Sequence, residues 1–369
     1  MMHMTLIIAG RREAMFLKKD IFSIEKNIIG IDIGSSLIKL VDLEDTSQGY
    51  VLQGFAQIPL EKGVIEDGQV VDPGALTRTI KDLAKLSKIT TKNVATALSG
   101  HFAIVKKASF RAMGEDELRD LIVDEADEYL SFDDIGKVNF DLHIMGENAL
   151  NTEQIDVIIA AAEKKVIKSY TAPIEKAGYS VAIVDVDSFA LETAYEENYD
   201  FDDEDVVVLV NIGASMTNIN VARGGGSVFT RNIMLGGNTI TEALKEKLGV
   251  TFEEAEKIKI EGTSEGADVS EDLLIYAEPI FMEIERSIDF FISSLGGLSI
   301  QKLFVSGGCA KIKGLVDILR DRLRLDVETM NPFQKISYNE KTFSSSYIES
   351  IGPTAALAVG LALRRMDDK

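Results

Sequence analysis

The segment Gly30-Ile31-Asp32-Ile33-Gly34-Ser35-Ser36-Leu37-Ile38-Lys39 returns in degraded form as Val210-Asn211-Ile212-Gly213-Ala214-Ser215-Met216-Thr217. The copies align without a gap, so that Asp32 pairs with Asn211, Gly34 with Gly213 and Ser36 with Ser215. In each, an apolar strand runs into a polar side chain, then a glycine with small hydroxylated neighbours, then a second strand-like segment. This layout predicts a β-hairpin whose turn presents backbone N–H groups to an anion, the glycine permitting close approach. One Asp-x-Gly turn between apolar strands is commonplace. Two in matched context predict a duplicated domain with two facing phosphate clamps.

A chain of 369 residues exceeds what one hydrophobic core usually holds, which leaves room for two domains and an inserted subdomain. The formal net charge of −21 argues against nonspecific binding to nucleic acid or to an anionic membrane. Any phosphate must be held by local N–H groups, lysine or a metal. A lone cysteine, Cys309, excludes an internal disulfide and a multi-cysteine metal site, and suits a reducing compartment such as the cytoplasm. No run approaches the ~20 apolar residues of a membrane span, and the longest candidate, Ala355 to Leu363, reads as a buried helix. Residues 1–27 read as an N-terminal extension, with the basic residues of Met1 to Arg12 in the wrong order for a secretory signal. Met15 is a plausible start, so the first 14 residues are expected to be disordered or foreign to the native protein. His3, His101 and His143 are scattered and read as structural.

The first half, 28–106 with 181–200, begins with alternating strands at Leu37 to Leu43 and Tyr50 to Ile58. A helix follows over Pro73 to Ser87, with Leu76, Ile80, Leu83 and Ala84 on one face, and then a strand at Val94 to Leu98. Residues 107–180 change pattern: an acidic amphipathic helix Glu115 to Leu130, strands Val138 to Ile144 and Gln154 to Ala162, and a helix Lys164 to Ala177 predict a small α+β insert. A strand at Ile183 to Asp187 and a helix at Ser188 to Tyr195 lead to the acidic run Glu196 to Asp205, expected to be a solvated linker. The second half, 201–369, repeats the strand, turn and strand plan. Thr251-Phe252-Glu253-Glu254 is a capping box that starts a helix at Phe252. Helices Ile275 to Ser294 and Gly314 to Leu323 flank a strand Leu303 to Val305 that ends in Ser306-Gly307-Gly308-Cys309-Ala310.

In this order the residues resemble the actin-like ATPase superfamily, and within it the PilM family of type IV pilus assembly proteins, over about residues 28–365. Gly30 to Ser36 resembles the first phosphate loop, Asn211 to Ser215 the second and Val305 to Cys309 the adenosine loop. Arg231 to Asn238 and Asn331-Pro332-Phe333 are similar to stretches typical of PilM, and the insert lies where PilM and the division protein FtsA carry an extra subdomain. FtsA closes with an amphipathic membrane-targeting helix, whereas this chain stops at Lys369 directly after its last helix, which favours PilM.

The resemblance implies an α/β actin-like ATPase fold of duplicated RNase H-like domains with an inserted small α+β subdomain, binding ATP or ADP with Mg²⁺ between the halves. It assigns Asp32 to the water shell of Mg²⁺, and the N–H groups of Gly34, Ser35 and Ser36 with the Lys39 ammonium to the β-phosphate. Gly213, Ala214 and Ser215 would hold the γ-phosphate, Glu256 and Lys259 the ribose and adenine, and Gly307 and Gly308 would pass under the adenine ring. Gly236 and Gly237 would approach the phosphates or sugar. From the residues alone, Glu256 and Lys259 read equally as an exposed helix pair, Lys39 as a solvated strand residue and Gly236-Gly237 as a strand-to-helix turn. Asn211 stands where members that hydrolyse ATP well have Asp, and it brings no charge to hold a metal or accept a proton. Weak or absent ATPase activity is therefore expected. Asp187 is the one candidate for positioning water, with a helix N-cap as its structural alternative.

The resemblance further implies a scaffold partnered with the cytoplasmic N-terminus of the inner-membrane protein PilN, and through it with PilO and PilP, placing the chain at the inner membrane without insertion. An FtsA-like filament-forming division protein and a small-molecule kinase of the same superfamily are the competing readings.

Overall fold

The computed structural model describes residues 5–6 and 27–365, apart from 101, 131, 133, 149–150, 225, 265 and 295–298. Most of the expected N-terminal extension, His3 and His101 lie outside the described residues. Thr5–Leu6 is described as a short strand, parallel to Ile183–Val184.

A seven-stranded sheet carries the first half, in the order Thr5–Leu6, Ser180–Val186, Asn93–Leu98, Ile29–Ile33, Leu37–Thr46, Gly49–Pro59, Ser337–Tyr338. A five-stranded sheet carries the second, in the order Gly226–Ile233, Thr217–Arg223, Val206–Ile212, Lys302–Ser306, Val327–Thr329. The sequence repeat is a repeat of topology. Ile29–Ile33 is antiparallel to Leu37–Thr46 and parallel to Asn93–Leu98, while Val206–Ile212 is antiparallel to Thr217–Arg223 and parallel to Lys302–Ser306. Every residue of Val206–Ile212 is buried, as a strand covered on both faces requires of a continuous apolar run.

Two helices, Asp187–Asn198 and Ser345–Ala362, cross between these sheets. One core joins Val41 and Leu52 of the first sheet, Leu191 and Ala355 of the helices, and Val207 and Leu209 of the second sheet. The crossing is close enough to require glycine. A Cβ on Gly360 would lie 1.7 Å from the Ala190 carbonyl oxygen, and one on Gly30 would lie 2.1 Å from that of Ala358.

The crossing also holds buried polar groups. Asn220 Nδ2, on the second sheet, donates to Ser188 O and Glu192 Oε2, each at 3.1 Å, while Ser227 Oγ donates to Asn220 Oδ1. Burial, reinforced by the charge of Glu196, pushes the Glu192 carboxyl up to about 8. Between the ordinary carboxyl value of ~4.3 and that higher one, the folded chain keeps a proton that the unfolded chain releases, so this stabilisation is complete at acid pH and is lost as pH rises through the window. Glu192→Gln is expected to flatten the fall of the calorimetric melting temperature between about pH 5 and 8. A slope equal to that of wild type would contradict it.

The insert is a three-stranded antiparallel sheet, ordered Ala103–Arg111, Asn151–Glu163, Val138–Asn148. Side-chain alternation divides its central strand. Val157, Ile159 and Ala161 face Leu118 and Ile122 of the covering helix, while Ile158, Ala160 and Ala162 join the core of the first half.

Four sequence readings need correction. The helix read as Glu115 to Leu130 breaks at Glu125 into Glu115–Asp124 and Ala126–Tyr129, and Ile275 to Ser294 is two helices, Ser270–Tyr276 and Glu278–Ser294. The helix Lys164–Lys176, grouped by sequence with the insert, packs on Pro73–Ser87, with Ile167, Tyr170 and Ile174 in the first half's core. The acidic run is not a solvated linker throughout. Its first three residues complete the Asp187–Asn198 helix, and the fully buried Asn198 donates to Ala194 O at 2.9 Å and accepts from the Lys335 N–H at 3.0 Å. Tyr199 stacks on Tyr195 at 5.4 Å, so the run's non-acidic residues are anchored while Asp202, Asp203 and Glu204 stay exposed.

Candidate functional site between the halves

Each hairpin turn is closed by its glycine. The Gly34 N–H donates to Leu37 O at 3.1 Å and the Gly213 N–H to Met216 O at 2.9 Å. These two N–H groups are consumed inside the turns, contrary to the expectation that they face a ligand. Among the described residues, the N–H groups of Ser35, Ser36, Ala214 and Ser215 make no such backbone bond. The turns face each other directly, with Ser215 Oγ donating to Ser35 Oγ at 2.8 Å.

Between them lies a cavity of about 390 Å³. Asp32, Ser35, Ser36 and Lys39 line it from the first hairpin, and Asn211, Gly213, Ala214 and Ser215 from the second. Gly34, Asp187, Gly237, Glu256, Lys259, Gly307 and Gly308 are the other sequence-predicted residues along it. Gly236 is not among the lining residues. A Cβ there would lie 2.7 Å from the carbonyl oxygens of both Gly213 and Ala214, so it packs behind the second turn. The adjoining Gly237 and Asn238 N–H groups donate to those same carbonyls at 2.9 and 2.7 Å, fixing the shape of the turn.

Asp32 and Lys39 are directly opposite in the hairpin register and form an ion pair at 2.7 Å. Lys39 is thus a mostly buried partner of Asp32, and its reading as a solvated strand residue falls. Asn211 Oδ1 accepts from Ser306 Oγ at 3.3 Å, which ties the second hairpin to the strand leading into Gly307. The Gly307 N–H donates to Pro353 O at 2.7 Å, and its φ of 88° lies in the left-handed region that favours glycine.

The capping box at Thr251 is complete, with both reciprocal bonds made. The helix it starts, Phe252–Glu261, carries the buried Lys259 and the half-buried Glu256 to the cavity wall as one hydrogen-bonded network, so the pair is not a freely exposed one. Lys259 Nζ donates to Glu256 Oε2 at 2.6 Å, Thr241 Oγ1 at 2.9 Å and Gly237 O at 3.1 Å. An ammonium has three donors, and these three acceptors use them all. Lys259 therefore fastens one helix to another, and Glu256 keeps a free face toward the cavity.

Asp187 is the first residue of its helix, Val186 is the N-cap, and no side-chain cap bond is made there. Its N-cap alternative falls. Burial and then the charges of Asp32 and Asp185 hold its carboxyl well above the usual carboxylate range, against the opposing effect of Lys39. The Tyr170 hydroxyl, also raised by burial and by Asp187 and Asp32, lines the cavity and donates to Gly68 O. Burial pushes the Cys309 thiol up to about 11, leaving it unreactive. No group of three or more His, Cys, Asp or Glu positioned for a metal occurs among the described residues.

Sequence reasoning missed Tyr170, Asn218, Lys311 and Thr354 of the lining. Lys311 had a local signal, standing three residues beyond Gly308. Tyr170 had none, because its helix is distant in sequence from both turns.

Two sheets of repeated topology, hinged on crossed helices and closing on paired glycine hairpins, define the actin-like ATPase fold. Within it, the chain belongs to the type IV pilus assembly protein PilM family, whose model matches residues 30–366. It is similar to a chain of the PilM-PilN type IV pilus biogenesis complex, with a TM-score of 0.82 and 27% identity over 92% of this chain and 98% of that one. The ethanolamine utilization protein EutJ from Carboxydothermus hydrogenoformans shares the fold, with a TM-score of 0.55 and 16% identity over 91% of this chain and 89% of that one. The cell division protein FtsA of Bacillus subtilis (strain 168) is 19% identical, with 82% of this chain and 78% of that protein covered. Among the described residues, no helix is long and apolar enough to cross a membrane.

Proposed function

We propose that this protein is a nucleotide-dependent scaffold of type IV pilus assembly, in which ATP or ADP held between the hairpin turns fixes the relation of the halves. The observation that carries this reading is the pair of turns meeting at Ser35 and Ser215, so that one anion can touch both halves at once. The cavity falls within the ~300–1,000 Å³ typical of small-molecule sites. Ser35 and Ser36 with Lys39 are suited to one phosphate and Ala214 and Ser215 to the next, while Gly308, where an added Cβ would meet nothing within 4 Å, leaves room for a base.

The donor set suits Mg²⁺, which is commonly held by one or two carboxylates together with ligand phosphates and water. Asp32 would hold it through water, and when bound it would neutralise phosphate charge. Asn211 offers no second carboxylate. Burial and the charges of Asp32 and Asp185 raise the Asp187 carboxyl, which disfavours its ionised, proton-accepting form. Slow or absent turnover follows from both.

Similarity to the PilM-PilN complex supports PilN as partner; in the proposed assembly the contact is the PilN cytoplasmic N-terminal peptide, with PilO and PilP reached through it. On this reading the protein is cytoplasmic and sits on the inner membrane through PilN. Calorimetry is the test: wild type should bind ATP with Mg²⁺, Asp32→Ala should bind at least about tenfold more weakly, and a PilN N-terminal peptide should bind the nucleotide-loaded wild type. Equal ATP affinity in wild type and variant would remove the clamp from the reading.

A further inference from the structure

We propose that Lys311 is a further phosphate-binding residue of this cavity, a cation contributed by the second half that meets the nucleotide's phosphate chain across from Lys39. The inference rests on the nucleotide reading above. Lys311 ends the 3-10 turn Gly308–Lys311, which follows the Lys302–Ser306 strand and is pinned to the hinge helix by the bond from the Gly307 N–H to Pro353 O. Its side chain lines the cavity.

The other cations of the site already have partners. Lys39 is paired with Asp32 at 2.7 Å, and Lys259 spends its three donors on Glu256, Thr241 and Gly237. Among the described residues, no acceptor or carboxylate holds Lys311. Lys311 stands at the cavity mouth, in part exposed to solvent, where partial desolvation and the charge of Lys39 both lower its pKa. Lys39 and Lys311 are two of the three ammonium groups that share this cavity in a chain of net charge −21, and of the three Lys311 alone has no partner among the described residues. Desolvation and like-charge repulsion both disfavour this arrangement, and an anion placed between the two lysines relieves both. An anion held in this way bridges the halves, because Lys39 belongs to the first and Lys311 to the second.

The contact is to phosphate rather than to the base, since the interaction is with a charge, and this separates two outcomes. Binding of ATP and of adenosine to the full-length protein with Mg²⁺ should be measured for wild type, Lys311→Gln and Lys311→Arg, adenosine being read by competition against a fluorescent ATP analogue. Lys311→Gln should weaken ATP by about tenfold or more and leave adenosine unchanged, while Lys311→Arg stays within about threefold of wild type. ATP affinity unchanged in Lys311→Gln, or adenosine weakened as much as ATP, would overturn the inference while the nucleotide reading stands. Failure of wild type to bind ATP would remove both. Unchanged melting of the ligand-free variants shows that any loss is local.

Discussion

Gly360→Ala is expected to abolish stable folding or to destabilise the protein by more than about 3 kcal/mol, beyond the usual range for overpacking. The added methyl would lie 1.7 Å from the Ala190 carbonyl oxygen and 2.6 Å from its carbon, both backbone atoms that no rotamer change can move aside. Relief demands that the two hinge helices separate. Because both sheets pack on these helices, separation would open the shared core on each side. The measurement is denaturant unfolding followed by circular dichroism, with Gly146→Ala as a comparison, since a Cβ at Gly146 meets nothing within 4 Å although its φ of 128° brings strain of its own. A Gly360→Ala protein that unfolds at the wild-type midpoint would show that the helices do not cross as described.

Arg364→Leu is expected to lose about 3–5 kcal/mol, the range for removing one partner of a buried ion pair. Arg364 Nε donates to Asp185 Oδ2 at 2.7 Å, with 5% of the arginine and none of the aspartate exposed. The other carboxylate oxygen of Asp185 accepts from the Val186 N–H at 2.8 Å, so the charge is locked in place at the end of the Ser180–Val186 strand. Without the guanidinium, that carboxylate must be neutralised or the strand must shift. The double variant Arg364→Leu with Asp185→Asn should recover much of the loss, because the stranded charge is then gone. No recovery would mean that the arginine acts through packing alone.

Local order was legible in the sequence and long-range contact was not. The Pro73–Ser87 helix and the Thr251 capping box depend on neighbours within a turn, and both appear where their residues placed them. The repeated hairpins were legible because the pattern occurs twice. The bond that consumes the Gly34 N–H was hidden, since only the turn geometry decides whether an N–H points outward or across. Gly236 and Gly237 look alike in sequence, yet the first packs against a distant turn and the second lines the cavity. The three acceptors of Lys259 come from two different helices, so its saturation could not be read from an i, i+3 spacing. In the acidic run, charge outweighed Asn198 and Tyr199, whose partners Lys335 and Asn331 lie more than a hundred residues away.

The core that joins both sheets to the hinge helices has a consequence for how the protein comes apart. Each half has a core of its own, yet one face of each sheet is buried in a core that both halves share, and the insert sheet lends one face to the first half. Neither copy retains a complete interior when the other is gone. Loss of the shared core should therefore expose an apolar face of both halves at once, so that unfolding of one copy destabilises the other.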